Sequence, residues 1–121
     1  MSETSELVLP ALAALCKRWP DGVWTRRNVG AARYRTKAGR LQLVRFGMSG
    51  MADITGIWRG LAWELEAKLP GEPQSEHQED WQRAVERGGG IYILFHDVGA
   101  LLATIDRRWR ARERDRSTAR A

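Results

Sequence analysis

A chain of 121 residues can bury one core but not two, and its 43% hydrophobic content is that of a folded globular protein. A net charge of +5 and a pI near 10.1 favour a polyanionic partner. No apolar run approaches the ~18 residues that span a bilayer, and the acidic, polar start Met1 to Glu6 gives no signal peptide, so a cytoplasmic protein is expected. The single cysteine, Cys16, excludes an intrachain disulfide and a thiolate zinc cluster. With only His77 and His96 besides, any metal must be held by oxygen.

Leu12, Leu15, Cys16 and Trp19 recur at i, i+3, i+4 and i+7, which predicts a helix over Leu9 to Trp19 with one buried stripe. Pro10 suits only the first helical turn, so the helix should begin or kink there. Pro20-Asp21-Gly22 is a turn. Val23 to Asn28 reads as a strand and Leu41 to Phe46 as another, with Ala38-Gly39-Arg40 as a turn and Arg33 to Lys37 pairing ahead of it. Arg26, Arg27, Arg33, Arg35, Lys37, Arg40 and Arg45 interleave with Trp24, Tyr34 and Phe46, the pattern of a phosphate-contacting surface. A solvated basic face is the alternative.

Ala52 to Trp58 suits a strand, Arg59-Gly60 a tight turn and Leu61 to Lys68 the returning strand of a hairpin. Alternation puts Glu64, Glu66 and Lys68 on one face, and the turn brings Asp53 back beside Glu66 and Lys68. Two carboxylates suit a hard divalent cation such as Mg²⁺, and the lysine adds a fixed positive charge where a phosphodiester would gain negative charge. The competing reading makes these residues the wet face of a half-buried strand.

Leu69-Pro70-Gly71-Glu72-Pro73 is a loop. Ser75 caps a helix running to about Arg87, with His77 or Gln78, Trp81, Ala84 and Val85 inward, and Gly88-Gly89-Gly90 ends it. Ser75 and Gln78 also form a capping-box pattern. Ile91 to Phe95 is a continuous apolar run, expected as a central strand covered on both faces. A last helix starts near Asp97 with Val98, Leu101, Leu102, Ile105 and Trp109 on one side, and His96 at the junction reads as structural. From Arg107 to Ala121 seven arginines stand against two acids, predicting a helix that frays into a tail.

An aspartate, then E-x-K on the next strand, then a glutamine opening a helix resembles the PD-(D/E)XK nuclease superfamily, and more narrowly its VRR-NUC (virus-type replication-repair nuclease) family. The matching stretches are R-F-G at Arg45 to Gly47, G-M-A-D-I-T-G at Gly50 to Gly56, E-L-E-A-K at Glu64 to Lys68 and S-E-H-Q at Ser75 to Gln78, with Arg27-Asn28 and Gly30 upstream. In order they span about Glu6 to Leu102, and Ala52 stands where the superfamily name has proline.

The resemblance implies an α/β fold with a restriction-endonuclease-like αβββαβ core, a mixed sheet flanked by helices, over residues 1–106, with 107–121 as an arginine-rich extension. It implies a metal-dependent nuclease acting on DNA, with Asp53, Glu66, the Ala67 carbonyl and Glu6 holding Mg²⁺ or Mn²⁺. Glu3 is the second candidate for the ligand on the first helix. Lys68 and Gln78 would complete the catalytic set by holding the attacking water, and Arg27, Asn28, Arg33, Arg35 and Arg45 would contact nucleic acid. Small phage-encoded members imply a homodimer acting on branched DNA such as Holliday junctions, in replication, recombination or repair. A non-catalytic nucleic-acid-binding module, a partner subunit and an RNA substrate stay open as alternatives.

Overall fold

The computed structural model describes residues 2–27, 30–46 and 50–120, and the backbone alone at 4–5, 30–34, 42–46 and 120. A π-helical turn, Thr4–Val8, leads without a break into α1 (Leu9–Arg18). Pro10 accounts for the wide turn, because it has no N–H to give to the carbonyl four residues back. The helix expected to begin at the proline therefore reaches back past it.

Strand β1 (Val23–Arg26) is followed by β2 (Gly30–Arg35) and β3 (Leu41–Phe46), then β4 (Ile54–Trp58) and β5 (Leu61–Ala67). Helix α2 (Glu76–Arg87), strand β6 (Ile91–Phe95) and helix α3 (Val98–Arg120) complete the chain. The main sheet has the order β1-β4-β5-β6, antiparallel except for the parallel pair β5 and β6 that α2 connects. This is a mixed α/β fold with helices flanking a mixed sheet, as expected for an αβββαβ-type core. Two details differ. Strands β2 and β3 form an antiparallel hairpin of their own rather than joining the sheet, and β6 lies at the sheet's edge rather than its centre.

Edge position and two-sided cover coexist in β6 because α3 and α2 both pack on it. Ile91, Ile93 and Phe95 join Trp63, Leu65, Leu15, Leu101 and Ile105 in the hydrophobic core, on the side of α1 and α3. The opposite side carries Glu64, Glu66 and Tyr92 and is roofed by α2, none of whose residues is fully buried. Trp19, Trp24, Trp58 and Trp63 stack at centroid separations of 4.8 to 6.4 Å, so most of the tryptophan goes into the interior. Gly56 makes room for this stack, since a Cβ there would come within 2.3 Å of the Trp24 ring.

Asp97 caps α3 by accepting from Gly99 N at 2.9 Å, and the helix then runs unbroken through the expected boundary at 106/107 to Arg120. The arginine-rich segment extends the helix as expected at first, and stays helical to Arg120 where fraying was expected. Intrahelical pairs Arg110–Asp106 and Arg116–Glu113 accompany it. Among the described residues no helix is long and apolar enough to cross a membrane.

Candidate functional site

The two-residue turn Arg59-Gly60 fixes the β4–β5 register, with Trp58 opposite Leu61 and Ile54 opposite Leu65. One step further, Asp53 comes opposite Glu66, and its Oδ2 accepts a hydrogen bond from Ala67 N at 2.9 Å. The Asp53 and Glu66 carboxyls are hydrogen-bonded to each other. Lys68 follows on the same strand face, and its charge acts on Glu66. The fold therefore brings together the three residues on which the sequence reading turned.

The charged face of β5 is not wet, although Asp53, just ahead of β4, is only half-buried. Glu64, Glu66 and Lys68 are 5%, 1% and 8% exposed. Burial first, then the hydrogen bond and negative charge of Asp53, push the Glu66 carboxyl up to about 9. Among the described residues its buried Oε1 has no hydrogen-bond partner. An unsatisfied carboxyl oxygen in a core costs stability and calls for a reason in function.

Backbone contacts fix Lys68 on both sides. Its N–H donates to Phe95 O at 3.0 Å, extending the parallel pairing with β6. Its carbonyl lies 2.7 Å from His96 Nδ1. A carbonyl only accepts, so Nδ1 carries the proton and the imidazole braces the lysine's backbone.

The first helical segment contributes Glu3 to this cluster. Burial raises the Glu3 carboxyl to about 7, helped by a hydrogen bond to Glu72, and Asp53 and Lys68 also act on it. Glu6, the first choice for a ligand, is exposed on the wide turn. Glu72 is set by a turn in which its N–H donates to Leu69 O at 3.0 Å while its Oε1 accepts from Leu69 N at 2.7 Å. The hydrogen bond from Glu3 holds the Glu72 carboxyl below the usual range.

Gln78 is engaged elsewhere. Ser75 N donates to its Oε1 at 2.8 Å and its own N–H donates to Ser75 Oγ at 3.2 Å, the reciprocal capping box. One rotamer cannot serve cap and site, and this structure gives it to the cap. The amide that does reach this face of the sheet is Gln74, whose Nε2 donates to Tyr92 Oη and Gln82 Oε1, each at 3.0 Å. The Tyr92 hydroxyl is buried near Glu66, Asp53 and Glu64, and burial followed by the Glu66 charge raises its pKa.

Arg27, expected to contact phosphate, forms a two-pronged ion pair with Glu64, Nη2 to Oε2 at 3.1 Å, and stacks 5.5 Å from the Trp81 centroid. Trp81 Nε1 donates to the same carboxylate at 2.8 Å. These contacts tie α2 to the sheet and absorb the Arg27 charge. Arg35 is exposed and donates to Gly39 O at 3.1 Å. Asn28 lies outside the described residues, and Arg33 and Arg45 are described in backbone only.

Sequence reasoning passed over Glu72, Gln74 and Tyr92. The signal for Tyr92 exists only once β6 is paired with β5, where Tyr92 stands opposite Glu64 and shares its face.

The residues present fit a hard divalent cation. A buried pair of hydrogen-bonded carboxyls with one orphan oxygen is a donor set that Mg²⁺ or Mn²⁺ accepts with water completing the shell. Among the described residues no three His, Cys, Asp or Glu side chains form a cage. No family model matches the chain, and no curated protein matches it.

Proposed function

We propose that the chain is a divalent-metal-dependent nuclease that hydrolyses DNA phosphodiester bonds. The observation that carries the reading is Glu66, a carboxyl buried to 1% exposure, hydrogen-bonded to Asp53, next to the buried Lys68, and with Oε1 unpartnered among the described residues. A bystander surface does not need such a group. A fold tolerates it where function requires it.

Asp53, Glu66 and the Ala67 carbonyl would hold Mg²⁺ or Mn²⁺, which when bound supplies Lewis-acid activation of water and of the scissile phosphate. The Ala67 N–H aims the Asp53 carboxylate. Lys68, with its backbone held between Phe95 and His96, would place its ammonium group against the charge that grows on the phosphate and orient the attacking water. Glu3 supports this reading as a further carboxyl within reach of the Asp53 and Lys68 charges. A homodimer with two sites across a two-fold axis, a branched DNA substrate and a cytoplasmic setting are the finer parts of the same proposal.

The test is cleavage of plasmid and four-way DNA by purified protein with Mg²⁺ or Mn²⁺. Chelator should stop it, and Lys68→Ala should lower the rate by at least ~10² while duplex binding persists. A Lys68→Ala protein that cuts as fast as the parent refutes the assigned mechanism.

A further inference from the structure

The far end of the β4–β5 hairpin carries a second concentration of positive charge. Arg59 occupies the first position of the turn at φ 52°, a left-handed conformation where asparagine, aspartate or glycine is usual. Its guanidinium lies 3.7 Å from the Trp109 centroid and 4.9 Å from that of Trp58. Arg110 stacks on Trp109 at 4.7 Å, and Arg18 on Trp19 at 5.0 Å. Trp19, Trp58 and Trp109 are themselves in contact, so α1, the turn and α3 present their arginines on one aromatic base.

Asp106 accepts from Arg110 at 3.3 Å and from Trp109 at 3.2 Å, and lies within the field of Arg18. Among the described residues Arg59 has no carboxylate partner. Along α3, Arg107 and Arg114 are exposed and follow the i, i+3, i+7 spacing that includes Arg110, continuing the charge on one helix face.

We propose that this surface docks the phosphate backbone of duplex DNA, apart from the carboxylate site. A guanidinium stacked flat on an indole keeps its in-plane N–H groups free for phosphate oxygens. Trp109 is already stacked by two guanidinium groups and met edge-on by Trp58, so an unpaired base could stack there only by displacing an arginine. That selects backbone contact over base stacking. Six residue steps along β4 separate Asp53 from Arg59, roughly 20 Å, which is about six base pairs of one duplex. The inference rests on the nuclease reading for its choice of partner, and it gives the enzyme a hold on DNA outside the cut.

The test is fluorescence anisotropy on a duplex of about 30 base pairs, in chelator, across a salt series. Arg59→Asn with Arg110→Gln is the variant, since asparagine suits the turn, and circular dichroism checks its fold. Binding should weaken about tenfold, and the slope of log K against log salt should fall by about one to two, at ~0.9 per phosphate contact. Arg83→Gln, which removes an exposed arginine paired with Asp80 on α2, should leave affinity and slope near the parent's. An unchanged slope in the folded double variant, or an equal loss in Arg83→Gln, overturns the proposal. So does loss of binding to phosphatidylserine vesicles with duplex binding intact. A parent that cleaves DNA while the double variant binds normally sinks only the docking surface. A parent that never cleaves, yet binds through Arg59, sinks only the nuclease.

Discussion

Replacing Glu66 by glutamine should make the metal-free protein more stable, by an amount that grows with pH. The folded protein holds the Glu66 proton up to about pH 9, whereas the unfolded chain loses it near 4.5. Stability from this proton is complete below the unfolded value and is lost as pH rises through the interval to the folded one. The slope is about 1.4 kcal/mol per pH unit at most. From pH 6 to pH 8 the parent should lose about 2 to 3 kcal/mol relative to Glu66→Gln, which for this size is on the order of 10 °C in Tm. Glutamine keeps a donor for the Asp53 carboxylate and does not titrate. Glu3, raised to about 7, pulls the same way below neutrality, but both proteins share it and the difference isolates Glu66. Urea denaturation in chelator at the two pH values gives the numbers. A saturating divalent cation should then restore about 3 kcal/mol to the parent and nothing to the variant. An equal stability gap at pH 6 and pH 8 would show that Glu66 is ionised in the fold and that its environment has been misread.

Arg27→Ala leaves the Glu64 carboxylate buried with only Trp81 as donor, and should cost about 3 kcal/mol in chemical denaturation, whereas Arg83→Ala, at an exposed pair, should cost well under 1. Gly50→Ala should destabilise by more than 2 kcal/mol, because its Cβ would meet His77 O at 2.2 Å and φ is 88°, while Gly39→Ala, at φ 84° in open space, should cost about 1. Ser75→Ala should cost about 1 kcal/mol by thermal melt and free Gln78 from its cap.

The pairing of Asp53 with Glu66 was legible in the chain because a two-residue turn leaves no freedom of register, and the period of two then assigns every face. The helix boundaries at Ser75 and Arg87 were legible for a similar reason, since cap chemistry is local. Burial of Glu64, Glu66 and Lys68 was not, because it depends on where α2 lies over the sheet. An alternation of charged residues reads the same under a helix as under water. The position of β6 at the edge was hidden too, as an apolar run records cover on its faces and nothing about its neighbours in the sheet. Gln78 was ambiguous from the start, since cap and site ask for the same residue. The resemblance favoured Glu6 on the first segment, whereas the π-helical turn ahead of Pro10 leaves Glu6 exposed and sets Glu3 within reach of the Asp53 and Lys68 charges.

Helix α2 sits on its sheet through an ion pair, an indole N–H and a chain of amides, and carries no fully buried residue of its own. Its apolar residues Trp81, Ala84 and Val85 are only half-buried. The polar ties weaken with added salt or an intruding anion, whereas the tryptophan stack on the other side of the sheet does not depend on charge. Access to the carboxylates and durability of the domain are thereby set by different forces, and evolution can tune one while leaving the other alone.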